Sequence, residues 1–224
     1  MSDRALIYVA DVMCSWCWGF APALAALQEA TGLPVELVQG GLAPGDQARP
    51  ASPGMSEFLR GCWTQVHAAS GQPFDMAGLE RPDGWLYDTE PAAMAVATMR
   101  QQAPGHEVGF FHRLQEAFYA QNVDITDPAT WTGLLGDAPV DAEAFVAAAT
   151  GPEAKKAAWR EFIQARKWGI SGFPALLVRD GDELALVTQG WAPTEPLIEA
   201  VTGWLASREA PALDGDACAV DGDC

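Results

Sequence analysis

The sequence predicts an α/β protein in which a long all-helical insertion interrupts one mixed sheet. Three observations carry that expectation. Near the N-terminus two short apolar runs flank a helical pattern, a β-α-β unit with a crossover helix. Residues 54–168 are then mostly helical in character, with apolar stripes at spacings of three and four. After Gly169 the period changes. Two apolar runs around Asp180-Gly181, a hairpin signal, precede a last amphipathic helix, giving β-β-α.

The elements follow in order. Residues 4–10 are short, apolar and rich in β-formers, as a buried strand is. Asp11-Val12-Met13 is the turn. From Ser15 to Thr31 Trp18, Leu24 and Leu27 recur at helical spacing, and Gly32 supplies the stop. Pro22 lies inside this helix, where it deletes a backbone hydrogen bond and predicts a kink. Residues 34–38 form a second strand, closed by Gly40-Gly41, and residues 42–53 read as a loop.

Within the helical block, Met55, Phe58, Leu59, Cys62, Trp63 and Val66 make one stripe. Residues 71–87 read as loop, and Asp88-Thr89-Glu90-Pro91 starts a helix that runs to Gln102. Residues 108–121 form another, with Phe110, Phe111, Leu114, Phe118 and Tyr119 on a broad apolar face. Asp127-Pro128 opens a short helix to Leu135, and residues 141–149 form a second short one. Residues 152–168 close the set, with Trp159, Phe162 and Ile163 expected to face inward. Strands follow at 175–178 and 184–187, then a helix from Pro193 to Leu205. The expected domains are 1–50 with 169–206 for the sheet, 51–168 for the insertion, and 207–224 for a flexible acidic tail containing cysteines.

A chain of 224 residues, 49% hydrophobic, can bury a sizeable core. Its formal net charge of −17 argues against nucleic acid, because phosphate neutralisation needs clustered Lys and Arg. The same charge argues against anionic membrane surfaces. The N-terminus reads as lacking a secretory signal, and no apolar run is long enough to span a bilayer. The expected location is cytoplasmic, where a Cys-x2-Cys is more often catalytic or metal-binding than a structural staple.

The chemistry centres on Cys14-Ser15-Trp16-Cys17 at the strand-to-helix junction. A thiol at a helix N-terminus meets unpaired N–H groups and the positive end of the dipole, which favour the nucleophilic thiolate. Positions i and i+3 share a helix face, so Cys17 can close a disulfide onto Cys14.

Together with Pro22, the helical insertion and Gly172-Phe173-Pro174 before the next strand, this motif resembles the DsbA-like proteins of the thioredoxin fold. The resemblance spans residues 4–206. Asp11 through Phe20 looks most like the cytoplasmic, FrnE-type members and predicted protein-disulfide isomerases. The fold implied is thioredoxin-like, with an all-helical insertion domain. The resemblance also implies a cis bond between Phe173 and Pro174 facing Cys14. Without it, Pro174 reads as an ordinary trans proline at an edge strand. The implied activity is thiol–disulfide exchange or isomerisation: Cys14, the exposed member, forms a mixed disulfide that the half-buried Cys17 resolves. Trp16, Phe173 and Pro174 would bind substrate, with the Phe173 backbone pairing to an extended segment.

DsbA proper carries Pro-His between its cysteines. Here Ser15-Trp16 stand there, so strong oxidant behaviour is not implied and a reductase or isomerase role fits better. The expected partners are disulfide-containing proteins or small thiols, with no nucleic acid and no membrane. No bound cofactor or metal is expected, and glutathione or a thioredoxin-type reductant would serve as redox co-substrate.

Two readings fit Asp11: a proton relay to Cys17, or a turn or cap residue. Two also fit Cys218 and Cys224, which lie among aspartates: an incidental tail, or a second redox pair exchanging with Cys14 and Cys17. Cys62, on an apolar stripe, reads as inert. His67, His106 and His112 show no metal-site spacing. Two other functions compete. One is a glutathione-dependent isomerase or transferase like the kappa-class and hydroxychromene-carboxylate enzymes, which generally carry serine where Cys14 stands. The other is a non-enzymatic peptide-binding module.

Overall fold

The computed structural model describes residues 4–209; Cys218 and Cys224 lie outside the described residues. Strand β1 (Arg4–Ala10) forms the centre of a four-stranded sheet of order β2-β1-β5-β6. The other strands are β2 (Val35–Gln39), β5 (Ala175–Asp180) and β6 (Glu183–Gln189). β1 runs parallel to β2, with Tyr8 opposite Leu37, and antiparallel to β5, with Tyr8 opposite Leu176. Successive strand residues face opposite sides of a sheet. Leu6, Tyr8 and Ala10 therefore enter the main core, while Ala5, Ile7 and Val9 pack with Ala165, Ile170 and Leu177 behind it. Covered on both faces, β1 reads as an unbroken apolar run rather than an alternating one.

Helix α1 (Ser15–Thr31) is a single segment that contains Pro22 and continues past it. It ends at Gly32 with φ 65°, whose N–H donates to the Gln28 carbonyl at 2.8 Å. It packs on α2 (Pro53–Ser70) at Gly19, where an added Cβ would stand 2.5 Å from Val66 Cγ1. Helix α7 (Thr194–Glu209) lies against α1 and β6.

The insertion contains α2, α3 (Glu90–Gln102), α4 (Glu107–Ala120), α5 (Ala142–Ala149) and α6 (Pro152–Lys167). Its core is aromatic. Trp63, Phe74, Phe118 and Tyr119 meet mostly edge to face, with centroids 5.0–6.2 Å apart. The segment expected to be a helix after Asp127 is a 3-10 helix, Pro128–Leu134. The expected loops hold a small second sheet, β3 (Arg49–Pro50) antiparallel to β4 (Leu86–Tyr87), and a 3-10 turn at Met76–Leu79.

Two side chains expected in the core are not there. Phe58 is 66% exposed and Ile163 is 46% exposed. The buried positions of α6 are Ala154, Ala158, Phe162 and Ala165, a narrow stripe that leaves the residue after Phe162 off the face. On α2 only Trp63 and Val66 are fully covered, because the helix lies at the molecular edge.

A polar knot ties the insertion to the sheet. Arg100 of α3 pairs with Glu161 of α6 and donates from Nη2 to the Leu37 carbonyl of β2 at 2.6 Å. The second Glu161 oxygen accepts the Gln39 N–H at 2.9 Å. Burial nonetheless raises the Glu161 pKa, against the pull of Arg100. Removing one partner of such a pair leaves the other desolvated and unpaired. Arg100→Met is expected to lower the unfolding free energy by about 3 kcal/mol in urea titration; a loss under about 1 kcal/mol would show a solvated, weak pair.

Candidate active site

Cys14 and Cys17 sit where the central strand ends. Asp11-Val12-Met13 turns the chain out of β1, and Asp11 holds that turn twice. Its carbonyl accepts the Cys14 N–H at 3.1 Å, and its Oδ1 accepts the Met13 N–H at 2.9 Å. Cys14 is the N-cap of α1, with extended backbone angles, and its carbonyl accepts from Cys17 and Trp18 at 3.0 and 3.1 Å. Both cysteines are free thiols.

The pair is more enclosed than the sequence suggests. Cys14 is 7% exposed and Cys17 fully buried, where an exposed and a half-buried member were expected. The cause is the loop before β5, whose backbone lies across the sulfur. Cys14 Sγ donates to the Phe173 carbonyl at 3.6 Å, within reach for a thiol. The Phe173–Pro174 peptide bond is cis. Pro174 itself is buried, and its carbonyl accepts the Gly190 N–H at 2.7 Å.

Electrostatics disfavour charge on the inner sulfur. Burial pushes the Cys17 thiol well above the ordinary range, and its hydrogen bond with Cys14 and the charge there push it further. Asp11 is also buried, and burial lifts its carboxyl to about 6. The N–H groups of Leu42 and Met13 and the Thr89 side chain act in the opposite direction. The Leu42 bond, to Oδ2, is 2.7 Å long. Asp11 therefore braces two loops beside Cys17 and does not cap α1.

Residues the sequence reading did not select complete the site. Tyr8 donates to the Cys17 carbonyl at 3.1 Å, and Tyr87 donates to the Met13 carbonyl. Burial holds both phenols well above their ordinary pKa, so they remain donors. Only Tyr8 carried a local signal, as a hydroxyl in an otherwise aliphatic strand. Gly40 lies flat beneath the Phe173 ring; a Cβ there would stand 2.0 Å from Phe173 Cε1. The Trp16 and Trp191 rings lie 6.0 Å apart and tilted by 44°, and with Phe173 and Gly190 they line a surface hollow of about 280 Å³. Trp18 and Phe20 are core residues. Cys62 lies on α2, partly exposed, where burial and then the Cys14 charge raise its pKa. Among the described residues no group of three or more His, Cys, Asp or Glu side chains is arranged to hold a metal.

A dithiol at a helix start, under a cis-proline loop, is an arrangement for disulfide exchange. The sequence matches the DSBA-like thioredoxin domain family over residues 5–197. The chain belongs to this family. No curated protein sequence matches it. Among solved structures it is similar to a protein from Nitrosomonas europaea provisionally described as a protein disulfide isomerase. That similarity is 34% identity and TM-score 0.81, over 91% of this chain and 98% of that one. It is also similar to DsbM, a cytosolic disulfide reductase of Pseudomonas aeruginosa, at 26% identity and TM-score 0.74, over 92% and 100% of the chains. DsbM is also known in a structure with GSH. A 2-hydroxychromene-2-carboxylate isomerase shares the fold at TM-score 0.61 and 14% identity, over 92% of this chain and 97% of that one. The family and the first two likenesses support a thiol–disulfide oxidoreductase or isomerase in general terms, and the third shows the shared fold.

Two measurements probe the site. The folded protein holds the Asp11 proton to about pH 6, whereas an unfolded chain releases it near pH 4. Between those values the folded state binds more protons, so Asp11 makes stability fall as pH rises, by up to about 3 kcal/mol. Unfolding titrations of the protein and Asp11→Asn at about pH 4 and pH 7 should show their difference moving toward the variant by that order; a constant difference would contradict it. Gly40→Ala should displace the Phe173 ring and lower disulfide turnover about tenfold or more, because small misplacements in a reacting site are costly. Full turnover in that variant would show that the ring position is immaterial.

Proposed function

We propose that the protein is a thiol–disulfide reductase, with isomerase capability, acting on protein or small-thiol disulfides through Cys14 and Cys17. The observation that carries this is the free Cys14 sulfur at the α1 N-terminus, against the Phe173 carbonyl, with Cys17 one turn behind. The Cys14 thiolate attacks a substrate S–S bond, forms a mixed disulfide and releases one substrate thiolate, which takes up a proton. Cys17 then gives up its proton, with the Asp11 carboxylate as acceptor, and attacks the Cys14 sulfur. The second substrate thiol leaves with a proton, and the protein holds a Cys14–Cys17 disulfide. Two equivalents of a small thiol such as glutathione, or a dithiol protein of the thioredoxin type, restore both thiols and are themselves oxidised to a disulfide.

Reduction is favoured over oxidation. Ser15 and Trp16 put no cation between the cysteines, so the residues between them add nothing to the helix N-terminus in stabilising the reduced form, as a strong oxidant requires. The likeness to cytosolic DsbM supports the same direction and a cytoplasmic location. No helix among the described residues is long and apolar enough to cross a membrane. The glutathione-dependent isomerase reading retains the fold alone and places a cysteine where those enzymes generally have serine.

With a peptide disulfide as substrate and glutathione as reductant, Cys14→Ser should fall to the uncatalysed rate. Cys17→Ser should accumulate a mixed disulfide on Cys14, visible as an added mass. Undiminished turnover by Cys14→Ser would overturn the scheme. Equilibration with glutathione should place the pair nearer the thioredoxin potential of about −270 mV than the DsbA potential of about −120 mV.

A further inference from the structure

We propose that a groove on the helical side of Cys14 binds a large apolar side chain of an extended substrate segment, with a carboxylate on the adjoining residue. This rests on the disulfide-exchange reading above and names its substrate class.

The groove is a cavity of about 260 Å³ walled by Leu42, Met55, Phe58, Leu59 and Tyr87, with Arg49 also among its lining residues. Its apolar walls are open to solvent: Phe58 is 66% and Leu42 is 42% exposed. Leu86 of β4, beside Tyr87, is a further exposed apolar residue. Large apolar groups gathered on one exposed face mark a binding surface more often than an accident.

Its position is set by the redox turn. The Leu42 N–H is bonded to Asp11 Oδ2, and Tyr87 is bonded to the Met13 carbonyl, so both walls attach to the residues just before Cys14. Cys62, from the helix that supplies Met55, Phe58 and Leu59, lies near enough for the Cys14 charge to act on it. The topology places this groove and the Trp16–Trp191 hollow on opposite flanks of Cys14. Leu42 follows β2 and Phe173 precedes β5, and these strands pair with opposite edges of β1. A strand laid across Cys14 against the Phe173 backbone therefore reaches an apolar hollow on each side.

Charge selects the occupant. The chain has 30 Asp and Glu against 13 Lys and Arg, yet the charged residue lining the groove is Arg49, exposed and with no carboxylate partner among the described residues. Behind the shared wall of Met55, Leu59 and Tyr87 lies Arg81, stacked over Trp85 and Phe118 at 5.1 and 5.3 Å. Its Nε and Nη2 are buried with no hydrogen-bond partner. An exposed arginine without a carboxylate partner at an apolar groove in an acidic protein favours a segment that brings its own carboxylate.

The test uses four synthetic peptide disulfides that differ only beside the cysteine, bearing Leu-Glu, Leu-Lys, Ala-Glu or Ala-Lys. The protein should turn over Leu-Glu about tenfold better than Ala-Glu, the scale of burying one leucine, and about threefold better than Leu-Lys. Arg49→Glu should invert the Glu-over-Lys ratio, and Phe58→Ser should erase the Leu-over-Ala ratio. Ratios within one variant are independent of how much of it folds. Equal ratios in the protein and both variants would overturn the groove. Binding of the same peptides with serine for cysteine, followed by tryptophan fluorescence, separates the two claims. Discrimination in binding without turnover keeps the groove and removes the exchange reading. Turnover of hydroxyethyl disulfide with no discrimination in either assay does the reverse.

Discussion

The site depends on one buried carboxylate. Asp11 sits at the end of the central strand, almost sealed from water, and its two oxygens accept N–H groups from the turn before Cys14 and from the loop after β2. Either loop without that partner would bury an unsatisfied donor, at a cost of about 1–3 kcal/mol each. The same burial that makes the bonds strong makes the charge expensive, so the group titrates near the pH at which the chemistry would run. The bracing role and the proposed proton-accepting role therefore rest on the same burial. A fully solvated aspartate would provide neither.

The rest of the site is arranged around the turn that Asp11 holds. Tyr8 grips it from below at Cys17, and Tyr87 grips it from the insertion at Met13. Gly40 supplies the gap into which the Phe173 ring fits, and the backbone carbonyl of the same residue meets Cys14. The sulfurs are thus positioned by contacts from β1, the loop after β2 and the loop before β5, three neighbouring segments at one end of the sheet.

Much of the fold was legible because it is written in periods. Strand β1 is a short apolar run, α1 repeats at helical spacing, and Asp180-Gly181 marks a hairpin. The dithiol was legible from its spacing at a strand-to-helix junction. What was not legible was non-local. The bond from Tyr87 to Met13 spans 74 residues, and no pattern around Leu86-Tyr87 announces it. A two-residue strand such as β3 has no period to detect. Phe58 and Ile163 lie on apolar stripes, but how much of a stripe is covered is decided by neighbours from elsewhere in the chain. The enclosure of Cys14 has the same origin, since the loop that shields it comes from beyond the whole insertion.

The Tyr87 hydrogen bond also bears on modularity. The insertion looks like a removable ornament on a small sheet, but Tyr87, Thr89 and Arg100 each reach back into it, to Met13, to the Ala43 backbone and to Leu37. Excising the helical block to obtain a minimal redox domain would strip the turn before Cys14 of its hydrogen-bond donor and leave backbone groups of both loops bare. Any shortened version would have to rebuild those contacts from new residues. The two halves of the chain are separable in a diagram but not in the site.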